Sequence, residues 1–257
     1  MAPSTSPPDN RAAWDALAGA YQEHVGWPDE ALTWGFRCPP ESELRVLGDL
    51  TGARVLVLGC GGGQDLVALA RMGAARLSGI DISDEQLVHA GARLAAAGRK
   101  ARLVQGSADD LRRFRSGSVD VVASVQALNY VERLDRCFAE VYRVLVPGGR
   151  FAFSVLHAAD ASTAETHPHA WHRSYFAAQA DWTWDGLTED AVELRSWYPT
   201  VAGWATAMID AGFELERLIE PAPIDDRSWI DRGWLDEASY AKLDLVPATL
   251  IVAGRRR

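Results

Sequence analysis

Residues 55–66 read VLVLGCGGGQDL, with four glycines (Gly59, Gly61, Gly62 and Gly63) in five positions directly after an apolar run. Glycine weakens regular structure, because it gives up the most conformational freedom on folding. At the end of a buried strand it has a use: the backbone can turn sharply and approach a ligand with no Cβ in between. Asp81 lies 18 residues beyond Gly63 and ends the next apolar run, RLSGID. A carboxylate there can accept the hydroxyl protons of a ribose. Glycine loop and strand-end acid at this spacing point to a nucleoside site. They do not fit a dinucleotide fingerprint, whose third small residue would fall on Gln64 counted from Gly59, or on Leu66 counted from Gly61. No phosphate-cradling P-loop pattern occurs anywhere in the chain.

A second group of reactive side chains lies further on. His157, His167, His169 and His172, with Glu165 among them, offer acid–base chemistry, since imidazole titrates near neutral pH. The segment 167–172 supplies the first choice for a catalytic base. HPHAWH spaces its histidines as H-x-H-x-x-H, which matches no strong zinc pattern, and no cysteine is near; no metal is expected. Trp171, Trp182, Trp184 and Trp197 follow. They either line an apolar pocket for a small molecule or form the core of a small lobe.

Positioning these groups takes strands and helices in alternation. RVLVL (54–58), RLSGID (76–81), ARLVQ (101–105), VDVVAS (119–124) and RFAFSVLH (150–157) read as strands. Between them, helices are predicted over 64–72, from Ser83 to about 97, and over 134–145. Gly73 and Gly98 stop the first two, and Ser83 with Gln86 forms a capping box. Asp109 and Asp110 cap the next turn. Five alternations predict an α/β fold: a doubly wound, mostly parallel sheet of seven strands, Rossmann-like, with right-handed connections. Ahead of it, Trp14, Leu17, Ala18, Tyr21 and Val25 recur at helical spacing, and ESELRVLGDL reads as a short helix. Residues 158–198 show no clear period, as expected of a lid. VAGWATAMIDAG then reads as a helix, FELERLIE as a strand and VPATLIVA as a last strand, with a hairpin at the sheet edge. The expected division is a disordered leader (1–10), a helical cap (11–50), a cofactor-binding core (51–157), a lid (158–198) and the rest of the core sheet (199–257).

Composition sets outer bounds. Of 257 residues, 48% are hydrophobic and 24% charged, enough for a real core. A net charge of −9 argues against nucleic acid, which needs clustered Lys and Arg. Three cysteines (Cys38, Cys60, Cys137) form no framework and suit a reducing compartment. Cys60 reads as small packing. No signal peptide or membrane-length apolar run is present, so a cytoplasmic protein, monomer or homodimer, is expected.

A nucleoside site without a phosphate motif points to S-adenosylmethionine. Here the chain resembles the class I S-adenosylmethionine-dependent methyltransferases of the small-molecule type. VLVLGCGGGQD, LSGIDIS, VQGSADDL, GSVDVVASVQALNYV and VLVPGGRFAFSV carry the resemblance, closely over about 50–157. It implies that Gly59, Gly61 and Gly63 line the methionine and ribose of the cofactor, Asp81 holds the ribose, and Ile82 packs on adenine. Ser107 and Ala108 stand at the adenine, and Gln126 near the sulfonium. Tyr21 lies on a helix that caps the site in relatives; it is either a cofactor contact or helix core. The chain departs from the family in having Val57 where an acid is frequent and Ser107 where Asp is frequent. The resemblance implies methyl transfer to a small, apolar or aromatic acceptor. A hydroxyl acceptor would need a base, whereas a carbon or amine would need none. Two other readings stay open: other chemistry on the same cofactor, and a binding protein without activity. Methylated product with released S-adenosylhomocysteine separates them.

Overall fold

The computed structural model describes residues 7–24, 29, 31–163 and 170–257. Its first strand, β1 (Arg54–Leu58), shows how the sequence builds the sheet. Leu56 and Leu58 face one core cluster, while Val55 and Val57 face the other. A strand apolar on both faces must be covered on both, which is the position of a central strand in a doubly wound sheet. Helix α1 (Asn10–His24) and the single turn α2 (Glu41–Leu44) precede it. There follow α3 (Gln64–Arg71), β2 (Arg76–Asp81), α4 (Asp84–Ala96), β3 (Arg102–Gln105), β4 (Val119–Val125), α5 (Leu134–Val144) and β5 (Leu145–Leu156). A two-stranded ladder, β6 (Gln179–Trp184) and β7 (Val192–Trp197), comes next. The chain then runs through α6 (Val201–Asp210), β8 (Phe213–Ile219), α7 (Ser228–Asp231), α8 (Glu237–Lys242) and β9 (Thr249–Arg256).

The main sheet has seven strands in the order β3-β2-β1-β4-β5-β9-β8. The first five are parallel, and β9 runs antiparallel between β5 and β8. Strand order reverses between β1 and β4, so the crevice beyond their carboxyl ends is where an α/β sheet binds ligands.

Several boundaries differ from the sequence reading. The turn at 41–44 stops early, because Arg45 takes a left-handed conformation (φ 51°). The buried Glu41 carboxylate then accepts from the N–H groups of Val46 (3.0 Å) and Leu47 (2.7 Å) and from the Trp34 indole (2.8 Å). Helix α5 ends at Val144, and β5 begins at Leu145 because Leu145 pairs with Val119. β9 starts at Thr249 rather than 246. The ladder β6–β7 and the short helices α7 and α8 carried no sequence expectation. Only half of the expected capping box forms: Ser83 Oγ accepts from the Gln86 N–H (3.1 Å), while the Gln86 side chain turns to α1. Among the described residues, no helix is long and apolar enough to cross a membrane, and no cluster of His, Cys, Asp or Glu could hold a metal.

Candidate active site

A cavity of about 160 Å³ opens beyond the carboxyl ends of β1, β2 and β4, roofed by α1. The glycine loop forms its floor. Gly59 and Gly61 take left-handed backbones (φ 61° and 47°), and a Cβ on Gly59 would collide with that of Ala127. Asp81, at the end of β2, is 8% exposed. Its Oδ2 accepts from the Gly61 N–H (2.8 Å) and its Oδ1 from the Ser83 N–H (3.0 Å). Burial raises its pKa, opposed by those N–H groups. The carboxylate thus fixes the loop and keeps lone pairs for a ligand.

Ile82, Ser107 and Ala108 line the same cavity, and so do Tyr21 and Gln126. Gln126 has a left-handed backbone (φ 53°), uncommon for a residue with a side chain. Its Nε2 donates to the Trp34 carbonyl (2.9 Å), and its Oε1 is buried without a partner among the described residues. Gly63 does not line the cavity. Its φ of 83° starts α3, and it lies against α4, where a Cβ would meet Ala90 Cα at 3.0 Å. Its glycine is required by helix packing.

The composition of the wall is informative. Trp14, Tyr21 and Tyr130 supply aromatic surface, and no Lys, Arg or His is among the described lining residues. Asp65, in the first turn of α3, is a lining residue that sequence reasoning passed over, although it follows the loop by two positions. It has no hydrogen bond or ion pair among the described residues, and burial pushes its carboxyl up to about 7. Burial, and then the Asp65 and Asp81 carboxylates, push the Tyr21 phenol above its usual range. Among the described residues the cavity thus combines two carboxylates and aromatic walls with no basic side chain, a lining that suits a cation.

Comparison with known proteins bears on the fold and the family. Residues 56–153 match the family described as a methyltransferase domain. A solved S-adenosylmethionine-dependent methyltransferase from Mesorhizobium loti is 27% identical, with a TM-score of 0.66, over 84% of this chain and 96% of that one. The chain belongs to the class I S-adenosylmethionine-dependent methyltransferases. A ubiquinone biosynthesis O-methyltransferase of Thiobacillus denitrificans is 36% identical over 42% of this chain and 46% of its own. A 27-O-demethylrifamycin SV methyltransferase of Amycolatopsis mediterranei is 30% identical over 54% and 52%. This methyltransferase thus spans about half the length of those two curated relatives.

Its cofactor is S-adenosylmethionine, and the cavity suits it. Asp81 and Asp65 both line the cavity, and among the described residues no Lys, Arg or His does. Val57, fully buried at the position of the family's frequent acid, cannot reach a ligand. The described histidines of the methyltransferase do not line the cavity. His157 is 4% exposed, with Nε2 2.8 Å from Glu220 Oε1 and Nδ1 accepting from the Ala159 N–H (3.0 Å). Both ring nitrogens are engaged outside the cavity, which leaves this imidazole a structural tie at the end of β5 and no free base. His172 is exposed and does not line the cavity. His167, His169 and Glu165 lie outside the described residues. Of the tryptophans, Trp182 and Trp184 pack with Trp14, Tyr130 and Leu194 under α1. Trp171 is 57% exposed.

Proposed function

We propose that the chain transfers a methyl group from S-adenosylmethionine to a small, uncharged acceptor with an apolar or aromatic body. The observation that carries this is the wall: aromatic rings from α1 and from the turn at 128–130 and, among the described residues, no cationic side chain to receive a carboxylate or phosphate. The relatives named for 27-O-demethylrifamycin SV and for ubiquinone biosynthesis point to small-molecule acceptors as well.

When bound, the cofactor supplies an electrophilic methyl on a sulfonium. The residues do the rest. Asp81 would hold the ribose, and Asp65 would accept from the α-ammonium in place of the acid missing at Val57. Ile82, Ser107 and Ala108 face the adenine. Tyr21, Trp14 and Tyr130 line the cavity and would exclude water from the bound cofactor. Holding two reactants well aligned in a dry site contributes up to roughly 7–11 kcal/mol of barrier lowering in general. The reading calls on no histidine base.

Calorimetry with S-adenosylmethionine, S-adenosylhomocysteine and NAD tests the cofactor. Incubation with neutral phenols and amines, followed by mass spectrometry, tests the reaction. Binding of the first two and a methylated product with released S-adenosylhomocysteine are expected. Binding without product from neutral acceptors, but with product from organic acids, would overturn the acceptor class.

A further inference from the structure

Three of the four loop glycines are explained by their own backbones, since Gly59, Gly61 and Gly63 all have positive φ. Gly62 does not, and alanine could adopt its conformation. What excludes a Cβ at Gly62 is Gln22: the amide of that side chain occupies the place where the Cβ would be. Gln22 stands in the last turn of α1, the roof of the cavity. Its Nε2 donates to Gln86 Oε1 (2.7 Å), and its Oε1 accepts from Gln64 Nε2 (2.7 Å) and Arg93 Nη2 (3.2 Å). Arg93 Nε in turn donates to the Gly62 carbonyl (2.9 Å). One amide therefore joins α1 to the start of α3, both ends of α4 and the glycine loop.

The other end of α1 is pinned independently. Asn10 exchanges two hydrogen bonds with the Arg195 backbone on β7 (2.8 and 2.9 Å). Midway, Ser83 Oγ donates to Asp15 (2.6 Å). The C-terminal end of α1 is held by this polar network and by the rings of Tyr21 and His24 against Trp234, so lifting that end must break the bonds of Gln22. Amide pairs exchange their partners for water at small net cost, which suits a contact that must open in every cycle.

We propose that Gln22, seated on Gly62 and held by Gln64, Gln86 and Arg93, is a clasp that keeps the end of α1 on the glycine loop and sets the rate of cofactor entry and release. This rests on the cavity being the cofactor's. The variants are Gln22→Ala, Gly62→Ala and Arg93→Met. Gly62→Ala displaces only the flexible end of Gln22 and asks nothing of its own backbone, and Arg93 lies outside the cavity lining. Stopped-flow fluorescence with S-adenosylhomocysteine should show association and dissociation both faster in all three, dissociation by about tenfold, the size of one to two lost hydrogen bonds. Hydrogen exchange of the cofactor-free variants should speed up in α1 and not in α6. Faster dissociation alone, confined to Gln22→Ala, would make Gln22 a simple ligand contact and end the proposal. Unchanged rates and unchanged exchange in all three would end it too. If the wild-type protein does not bind S-adenosylhomocysteine, the assignment of the cavity fails, and hydrogen exchange still decides the clasp.

Discussion

Two carboxylates share one cavity, and their surroundings give them different tasks. Asp81 is committed to backbone N–H groups, so its geometry is set before any ligand arrives. Asp65 has no such partner among the described residues, and burial moves its carboxyl from an ordinary 3.8 to about 7. The folded cofactor-free protein therefore holds a proton between those values that the unfolded chain has lost, so its stability falls as pH rises through that window. Cofactor binding needs the ionised form if Asp65 meets the ammonium, so affinity should rise across the upper part of the same window, with a proton released on binding. Asp65→Asn separates the two effects. It should raise the melting temperature of the cofactor-free protein at pH 8 and not at pH 4, while weakening S-adenosylhomocysteine at pH 8 by about tenfold or more, one lost charge-assisted hydrogen bond. Calorimetry and thermal melts at both pH values check this, and unchanged affinity would leave the ammonium to another group. His157 makes the opposite case. A buried imidazole with both nitrogens engaged is a strut, so His157→Ala should cost about 1–3 kcal/mol of stability in urea and leave turnover per folded molecule unaltered. Lost turnover at full stability would restore it as a base.

At the scale of the element, the glycine loop is where one short segment meets several demands at once. Gly63→Ala must take a left-handed backbone and push Ala90 away, so it should destabilise the protein by about 2–3 kcal/mol in a denaturant titration, through α3 and α4 rather than through lost ligand contacts. A smaller loss, with cofactor affinity broken instead, would return Gly63 to the binding surface. This shows why the loop was legible and its roles were not. Glycine reports that a side chain is excluded, and the sequence does not say by what. The first five strands and the helices between them were readable because each carries its own signal: Gly73 after α3, Ser83 before α4, the apolar stripe of α5. The ladder β6–β7 carries a weaker one, Trp182 and Trp184 alternating with polar residues. Those rings face α1, more than 150 positions away, so the local pattern gives no partner for them. Asp65 was hidden for the same reason: nothing near it in sequence tells that Tyr21 would cover it.

The whole molecule is a seven-stranded sheet with additions laid over its ligand edge: α1, the β6–β7 ladder and residues 220–248. The first two share an aromatic cluster, whereas two buried cations tie the segment 220–248 down. Lys242, 4% exposed, reaches Asp160 Oδ1 (2.8 Å) and the carbonyls of Asp160 and Thr163 (3.0 and 3.2 Å). Arg37, equally buried, donates to the carbonyls of Ile224 (2.9 Å) and Tyr240 (2.7 Å), pairs with Asp244 (2.9 Å) and lies 3.7 Å over the Tyr240 ring. Its backbone is left-handed (φ 49°), an unfavourable state that those contacts over-determine. One guanidinium thus ties the segment between β8 and β9 to the loop before α2, and that segment brings Trp234 against Tyr21 (ring centroids 5.8 Å apart) at the roof of the cavity. Removing the fork leaves two carbonyls and a carboxylate without their donor, and lysine cannot replace it, because its single ammonium cannot serve three acceptors in a plane while stacked on a ring. Arg37→Met and Arg37→Lys should therefore both cost about 2–4 kcal/mol. Because the seven-stranded sheet does not depend on Arg37, the loss should appear first in the additions: red-shifted tryptophan emission and early cleavage within 220–248, with the sheet's circular dichroism intact. A single cooperative loss of both signals would show instead that the additions and the sheet fold as one unit.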